Sequence, residues 1–204
     1  MAHRVPLAKA RSGEQIEAIA LEIVRSFQPQ AAAMVTAFDV ERFLDCKLEE
    51  RTQVEPVYRY LGEGLYGYTD IEEMKCYISR ELADSANEVV HLRRFLRSTQ
   101  AHEIGHCILH VQEFKQTKAI LKFMHDDKHA DLTLHDQDEI KVYRNPEWQA
   151  WRFAGALLMP AQCVMAAVRA GWTKKTMSNA FEVNPAFIDV RLRTLKITAH
   201  IKAG

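Results

Sequence analysis

The 204-residue sequence has no excess of either charge: 27 Lys and Arg face 27 Asp and Glu, for a formal net charge of +0. No whole-molecule field therefore draws it to nucleic acid or to a membrane surface. Cysteine is scarce. The four residues Cys46, Cys76, Cys107 and Cys163 include no C-x-x-C pair and lie too far apart for a dense disulfide framework or a zinc ribbon. Reduced, buried thiols are expected. There is no long apolar run, since the longest candidate, Phe153 to Val168, is interrupted by Pro160 and Gln162. Arg4, Lys9 and Arg11 are not followed by the apolar stretch of a signal peptide. These absences predict a soluble, cytoplasmic protein with no membrane span. Repeats and an obvious interdomain linker are also missing. With 48% hydrophobic and 26% charged residues, the chain can bury a core of one large or two small domains.

The patterns that are present are mostly helical. Ser12 and Gln15 form a capping-box signature before Ile16, Ile19, Ala20, Ile23 and Val24, which predicts a first helix over about 14–26. Asp39 can cap a second, shorter helix through Val40, Phe43 and Leu44, after which the period is lost over 46–58. Between Leu61 and Ser79, Gly62, Gly64 and Gly67 alternate with Tyr66, Tyr68, Tyr77 and Ile78, as in a small antiparallel sheet with a turn at Thr69-Asp70. Val89 to Phe114 carries the strongest helical signal. Residues 121–140 hold six acids and two lysines and read as a long polar loop. Asn145-Pro146 marks the start of another helix that ends before Met159-Pro160. Shorter helices follow, with Gly171 as a stop and Asn184-Pro185 as a start.

One constellation carries chemistry. His102-Glu103-Ile104-Gly105-His106 is an H-E-x-x-H sequence. At about 100° per residue, its histidines lie about 40° apart on one helix face and can reach a single tetrahedral ion. Glu103 projects beside them, placed to take a proton from a water without being a ligand itself. With nine His and seventeen Glu in the chain, chance placement would produce the pattern only about 0.03 times per sequence. A third ligand candidate is Glu147. On a helix from Pro146 it shares its stripe with the apolar Ala150, Ala154 and Leu158, where a carboxylate is costly unless paired or metal-bound. The plainer reading is an acid at the second helical position, favoured by the helix dipole and solvated.

Arg93-Arg94-Phe95, the block AHEIGHCILH (101–110) and EWQAWRFAGALLMP (147–160) together resemble the ImmA/IrrE family of zinc metallopeptidases. The Gly/Tyr sheet before them and the tail from Ala180 to Leu195 extend the resemblance to about residues 61–197. It implies a gluzincin-like zinc site with His102, His106 and Glu147 as ligands and Glu103 as base. It also implies cleavage of a cytosolic regulatory protein such as a helix-turn-helix transcriptional repressor. Two departures stand out: the spacer from His106 to Glu147 is long, and Trp151 replaces the family's usual Asn.

Other residues carry weaker signals. His110 continues the histidine row, but three imidazoles at i, i+4 and i+8 span about 12 Å, too far for one ion, so an outer or structural place is expected. His125, His129 and His135, with Asp126, Asp127, Asp131, Asp136 and Asp138, could bind a divalent ion, though such charge runs are usually solvated. His135, Tyr143 and Arg144 are unresolved candidates for the donor to the oxyanion. Residues 161–204 carry seven basic residues against Glu182 and Asp189, and a helix-turn-helix-like pattern. That supports a rival reading, a DNA- or partner-binding regulator with a structural or inactive metal site, against a helical cap on a peptidase. The expected fold is α+β and mostly helical. Residues 1–60 would form an N-terminal helical part, 61–160 the metallopeptidase core with its sheet beside the H-E-x-x-H helix, and 161–204 the C-terminal helical cap.

Overall fold

A computed structural model describes residues 4–125, 134–136 and 139–197, with the backbone alone over 119–125. After a short strand β1 (Arg4–Pro6), helix α1 (Gly13–Phe27) opens on the expected capping box between Ser12 and Gln15. It buries Ile16, Ala20, Ile23 and Val24 along one stripe. Helix α2 (Pro29–Ala33) is a single turn. Helix α3 (Val40–Thr52) is capped by the Asp39 carboxylate and runs further than its pattern suggests. Leu44, Leu48 and Thr52 recur one turn apart on its buried face, while Cys46, Lys47, Glu49 and Glu50 point outward. That narrow stripe hides the helical period.

Strands β2 (Glu55–Arg59), β3 (Gly67–Asp70) and β4 (Lys75–Ser79) form a sheet in the order β2-β4-β3. β3 and β4 make the expected antiparallel hairpin. Thr69 and Asp70 end β3 instead of forming the turn, and the Asp70 carboxylate accepts the Glu72 and Glu73 amides of the turn itself at 2.8 and 2.9 Å. β2 runs parallel to β4, so the sheet is mixed. Its Pro56 weakens the strand signal in sequence and is tolerated because β2 is an edge.

Helix α4 (Arg80–Ala86) leads to α5 (Val90–His106), which carries the H-E-x-x-H sequence. A π turn (Cys107–Val111) links it to α6 (Gln112–His125). Within the stretch read as a loop, the first five residues extend α6, and β5 (Leu134–Asp136) pairs antiparallel with β1. His129, Asp126, Asp127, Asp131 and Asp138, and the His125 side chain, lie outside the described residues. A 3-10 turn (Val142–Arg144) precedes α7 (Pro146–Leu158), followed by α8 (Ala161–Arg169), α9 (Lys174–Phe181) and α10 (Pro185–Thr194). Gly171, at φ +72°, separates α8 from α9 as a left-handed stop. One contiguous hydrophobic cluster extends from Ile16 of α1 to Leu192 of α10. The fold is thus mostly helical α+β, and no single described helix is long and apolar enough to cross a membrane.

The site depends on how closely α7 lies against α5. A Cβ on Gly105 would stand 3.1 Å from both Cα and O of Ala150 and 3.2 Å from Phe153 Cδ1. Because the obstacle is backbone, it cannot swing aside. Alanine gains about 1 kcal/mol of helix propensity over glycine, but overpacking costs about 1–3 kcal/mol. Gly105→Ala is therefore expected to lower stability in urea unfolding; stability at or above wild type would show that the two helices part without strain.

Candidate metal centre

His102 and His106 occupy successive turns of α5, with their rings edge to face at 4.6 Å. Their Nε2 atoms are 3.0 Å apart. Glu147 comes from the first turn of α7, where Asn145 occupies the N-cap and its side-chain oxygen accepts from the Glu147 and Trp148 amides. The cap is thus filled by Asn145, and the Glu147 carboxylate turns to the histidines. Oε2 lies 3.3 Å from His102 Nε2 and Oε1 3.3 Å from His106 Nε2. A tetrahedral ion with ligand bonds of 2.0–2.2 Å needs donors roughly 3.3 Å apart. The two histidine nitrogens each face a different oxygen of the one carboxylate at about that spacing, one donor atom from each residue lies within 4.8 Å of the others, and these three residues are the group that could hold a metal ion among the described residues. The donors are two imidazoles and a carboxylate, a set suited to zinc.

Electrostatics agree with a shared site. Burial alone would raise the Glu147 carboxyl, but hydrogen bonds with His102 and His106 outweigh it and hold the group well below the usual carboxylate range. Burial pulls His106 down, yet Glu147 and Glu103 leave it raised. His110, one turn beyond, lies far below the ordinary histidine range because it is buried and next to His106. Its Nδ1 is 3.2 Å from His106 Nδ1, so it touches a ligand candidate from outside.

Glu103 is 5% exposed and borders the same cleft. The Thr69 hydroxyl of β3 donates to its Oε2 at 2.8 Å, and its Oε1 has no hydrogen-bond partner among the described residues. β3 crosses this side chain so closely that a Cβ on Gly67 would sit 2.9 Å from Glu103 Cγ. Sequence reasoning missed both Thr69 and Gly67 as site residues. Gly67 looked like sheet texture, and only strand pairing reveals what it passes over.

The cleft has a volume of about 400 Å³ and is lined by His102, Glu103, His106 and Glu147 together with Val5, Leu65, Tyr68, Ile71 and Phe114. His135, Tyr143 and Arg144 are not among its lining residues; Tyr68 is the one phenol there. His135 sits in β5, opposite Val5 of β1. Trp151, 44% exposed, lies over His102 with ring centres 4.3 Å apart. Where the family usually has Asn, an indole thus covers one face of a ligand candidate, and the buried His102 Nδ1 has no hydrogen-bond partner among the described residues.

The sequence profile of the IrrE N-terminal-like domain, a peptidase family, matches residues 87–193, which include α5, α7 and the C-terminal helices. The chain belongs to this family. Among solved structures, this IrrE-like chain is similar to a Mycobacterium tuberculosis transcriptional regulator, with a TM-score of 0.56 and 14% identity. The likeness covers 94% of this chain and 49% of that one, so the chain spans about half the length of that protein and shares its fold. No curated protein matches significantly.

Of the C-terminal cations, Arg191 is 1% exposed, bonds Glu17 through both terminal nitrogens at 2.5 and 2.7 Å, and donates to Met159 O. Lys174 pairs with Asp189 at 2.5 Å. Lys175, Arg193 and Lys196 are exposed. Gly67→Ala tests the crossing of β3 over Glu103. It is expected to cost about 1–3 kcal/mol and to displace the Glu103 side chain in a crystal structure of the variant. An unmoved Glu103 with wild-type stability would show that the strand has room to spare.

Proposed function

We propose that this chain is a zinc-dependent endopeptidase acting on a protein substrate. His102, His106 and Glu147 hold the ion and Glu103 is the general base. The supporting observation is the convergence of three donor atoms at ligand spacing beside a carboxylate that is anchored but not part of the donor set. Zinc, when bound, supplies Lewis acidity towards the scissile carbonyl.

The chain's own residues do the rest. Thr69 fixes one Glu103 oxygen, leaving Oε1 to take a proton from a water in the cleft and return it to the departing amine. Glu147 supplies negative charge at the donor set without competing for that proton, because its carboxyl is held ionised. The apolar cleft wall of Val5, Leu65, Ile71 and Phe114 takes substrate side chains and excludes water. The substrate class inferred from the family resemblance is a cytosolic regulatory protein such as a helix-turn-helix repressor.

Elemental analysis of the purified chain is expected to find about one zinc per molecule, lost in the His102→Ala/His106→Ala double variant. Glu103→Gln should retain the metal and lower hydrolysis of an unstructured protein substrate by about 10²–10⁴-fold. Full zinc in the double variant, or undiminished cleavage by Glu103→Gln, sinks the assignment. The rival DNA-binding reading loses support from the engagement of Arg191 and Lys174 in internal pairs. The wild type is therefore expected to show little affinity for duplex DNA at physiological salt. Submicromolar, sequence-selective binding by the zinc-free protein would reverse that preference.

A further inference from the structure

We propose that Arg11, Gln149 and His110 form a hydrogen-bond relay of fixed polarity that holds the His106 proton on Nδ1 and so presets Nε2 as its metal-binding nitrogen. The inference rests on the metal reading above and extends it to three residues outside the donor set, of which His110 touches His106 directly and the other two act through it.

The polarity is derived from the far end. Gln149 is fully buried. Its Nε2 donates to the carbonyls of Lys9 at 2.9 Å and Tyr143 at 2.8 Å. Both partners only accept, so the amide cannot be turned round without setting oxygen against oxygen twice. Gln149 Oε1 therefore faces the other way, where it accepts from Arg11 at 3.1 Å and meets His110 Nε2 at 3.1 Å. An amide oxygen has no proton to give, so His110 Nε2 must carry one. His110 is 2% exposed, shares its acceptor with the Arg11 guanidinium and has no carboxylate within hydrogen-bond reach among the described residues. A neutral imidazole is the form this surrounding favours, which leaves His110 Nδ1 as a bare acceptor. That atom is 3.2 Å from His106 Nδ1. His106 must be the donor, with a proton fixed on Nδ1, so Nε2, the nitrogen that faces His102 Nε2 and Glu147, is the one an ion takes in place of a proton.

The relay is held at both ends. Arg11 also donates to Leu109 O within the π turn and to Glu113 Oε2, each at 2.8 Å. The His110 ring stacks on Phe114 at 5.7 Å and 16°. His102 has no equivalent, since its Nδ1 is buried without a partner among the described residues. The orientation of the donor set therefore depends on His106, and through it on the segment before α1.

Outer partners of this kind typically change metal affinity 10–100-fold when substituted. The test measures zinc affinity of the full chain by competition with a chromophoric chelator, for wild type and His110→Phe, which keeps a ring against Phe114. The expected result is 10–100-fold weaker zinc binding by a variant whose circular dichroism matches wild type. In the zinc-loaded wild type, long-range proton–nitrogen NMR should place the His110 proton on Nε2 and the His106 proton on Nδ1. This measurement decides the matter if His110→Phe does not fold. A proton on His110 Nδ1, or wild-type affinity in a folded His110→Phe, overturns the relay while leaving the metal site standing. A wild type that binds no zinc overturns the metal reading and the relay with it.

Discussion

The contact of Gly105 with Ala150 is the constraint on which the rest of the site depends. Two helices normally pack with axes 8–10 Å apart, set by the side chains between them. Here one helix offers no side chain at the crossing, and α7 comes to within van der Waals contact of the α5 backbone. The glycine lies inside the H-E-x-x-H sequence itself, one residue before His106. The same closeness that fills the core between Ile104, Phe153 and Ala154 therefore brings the first turn of α7 alongside the histidines. A larger residue at 105 would act on the donor set by lengthening all the Glu147 distances together.

This geometry comes with an unusual demand on α5. From Arg97 to Glu103 its buried residues are mostly polar, which a helix in a core tolerates only when each group finds a partner. Most do so locally or across to neighbours. Ser98 and Thr99 bond back to their own helix, Gln100 meets the Tyr58 hydroxyl, and Arg97 reaches the carbonyls of Phe38 and Glu182. Arg94 adds Ser178 and Asn179 of α9. The helix that bears the chemistry is thus tied to the segment before α3, to β2 and to the C-terminal helices by directional bonds as well as by apolar contact. Such bonds fix the rotation of α5 about its axis, and with it the direction in which the two imidazoles point.

What could be read from the sequence divides along physical lines. Features set within a few residues were legible: the Ser12 capping box, the Asn145-Pro146 start, the Gly171 stop and the pairing of two histidines on one face. The nearness of Glu147 to the histidines was legible as well, because a carboxylate on an apolar stripe demands a partner. Features set by partners remote in sequence were not. β2 was missed because its Pro56 breaks the strand signal, and only its parallel pairing with β4 makes it a strand. β5 lay within a charged stretch that reads as loop until β1 is placed beside it. Thr69 and Gly67 belong to the surroundings of Glu103 through a strand crossing between positions 34 residues apart or more. Distance along the helix sets His110 apart from the other two histidines, but its hydrogen-bond partner Gln149 could not be found without α7 in place.

The C-terminal charges show why a local sum misleads. Over 161–204 the excess of five positive charges suggests a surface that could face a polyanion. Arg191 contributes nothing to such a surface. It lies in the core, spanning Glu17 of α1 and Met159 O at the end of α7, and Arg152 approaches the same carboxylate at 3.2 Å. Removing one partner of a buried pair typically costs 3–5 kcal/mol, because the other charge is left without compensation. Arg191 is thus better understood as a joint that fixes α10 against α1 and α7. Lys174 bridges α9 to Asp189 of α10, and Glu182 faces Arg97. With these charges engaged internally, the C-terminal helices are anchored to the same elements that carry the histidines and Glu147. Arg191 acts first in fixing α10 to α1 and to the end of α7, and Arg169, Lys175, Arg193 and Lys196 are the exposed basic residues of the described C-terminal segment.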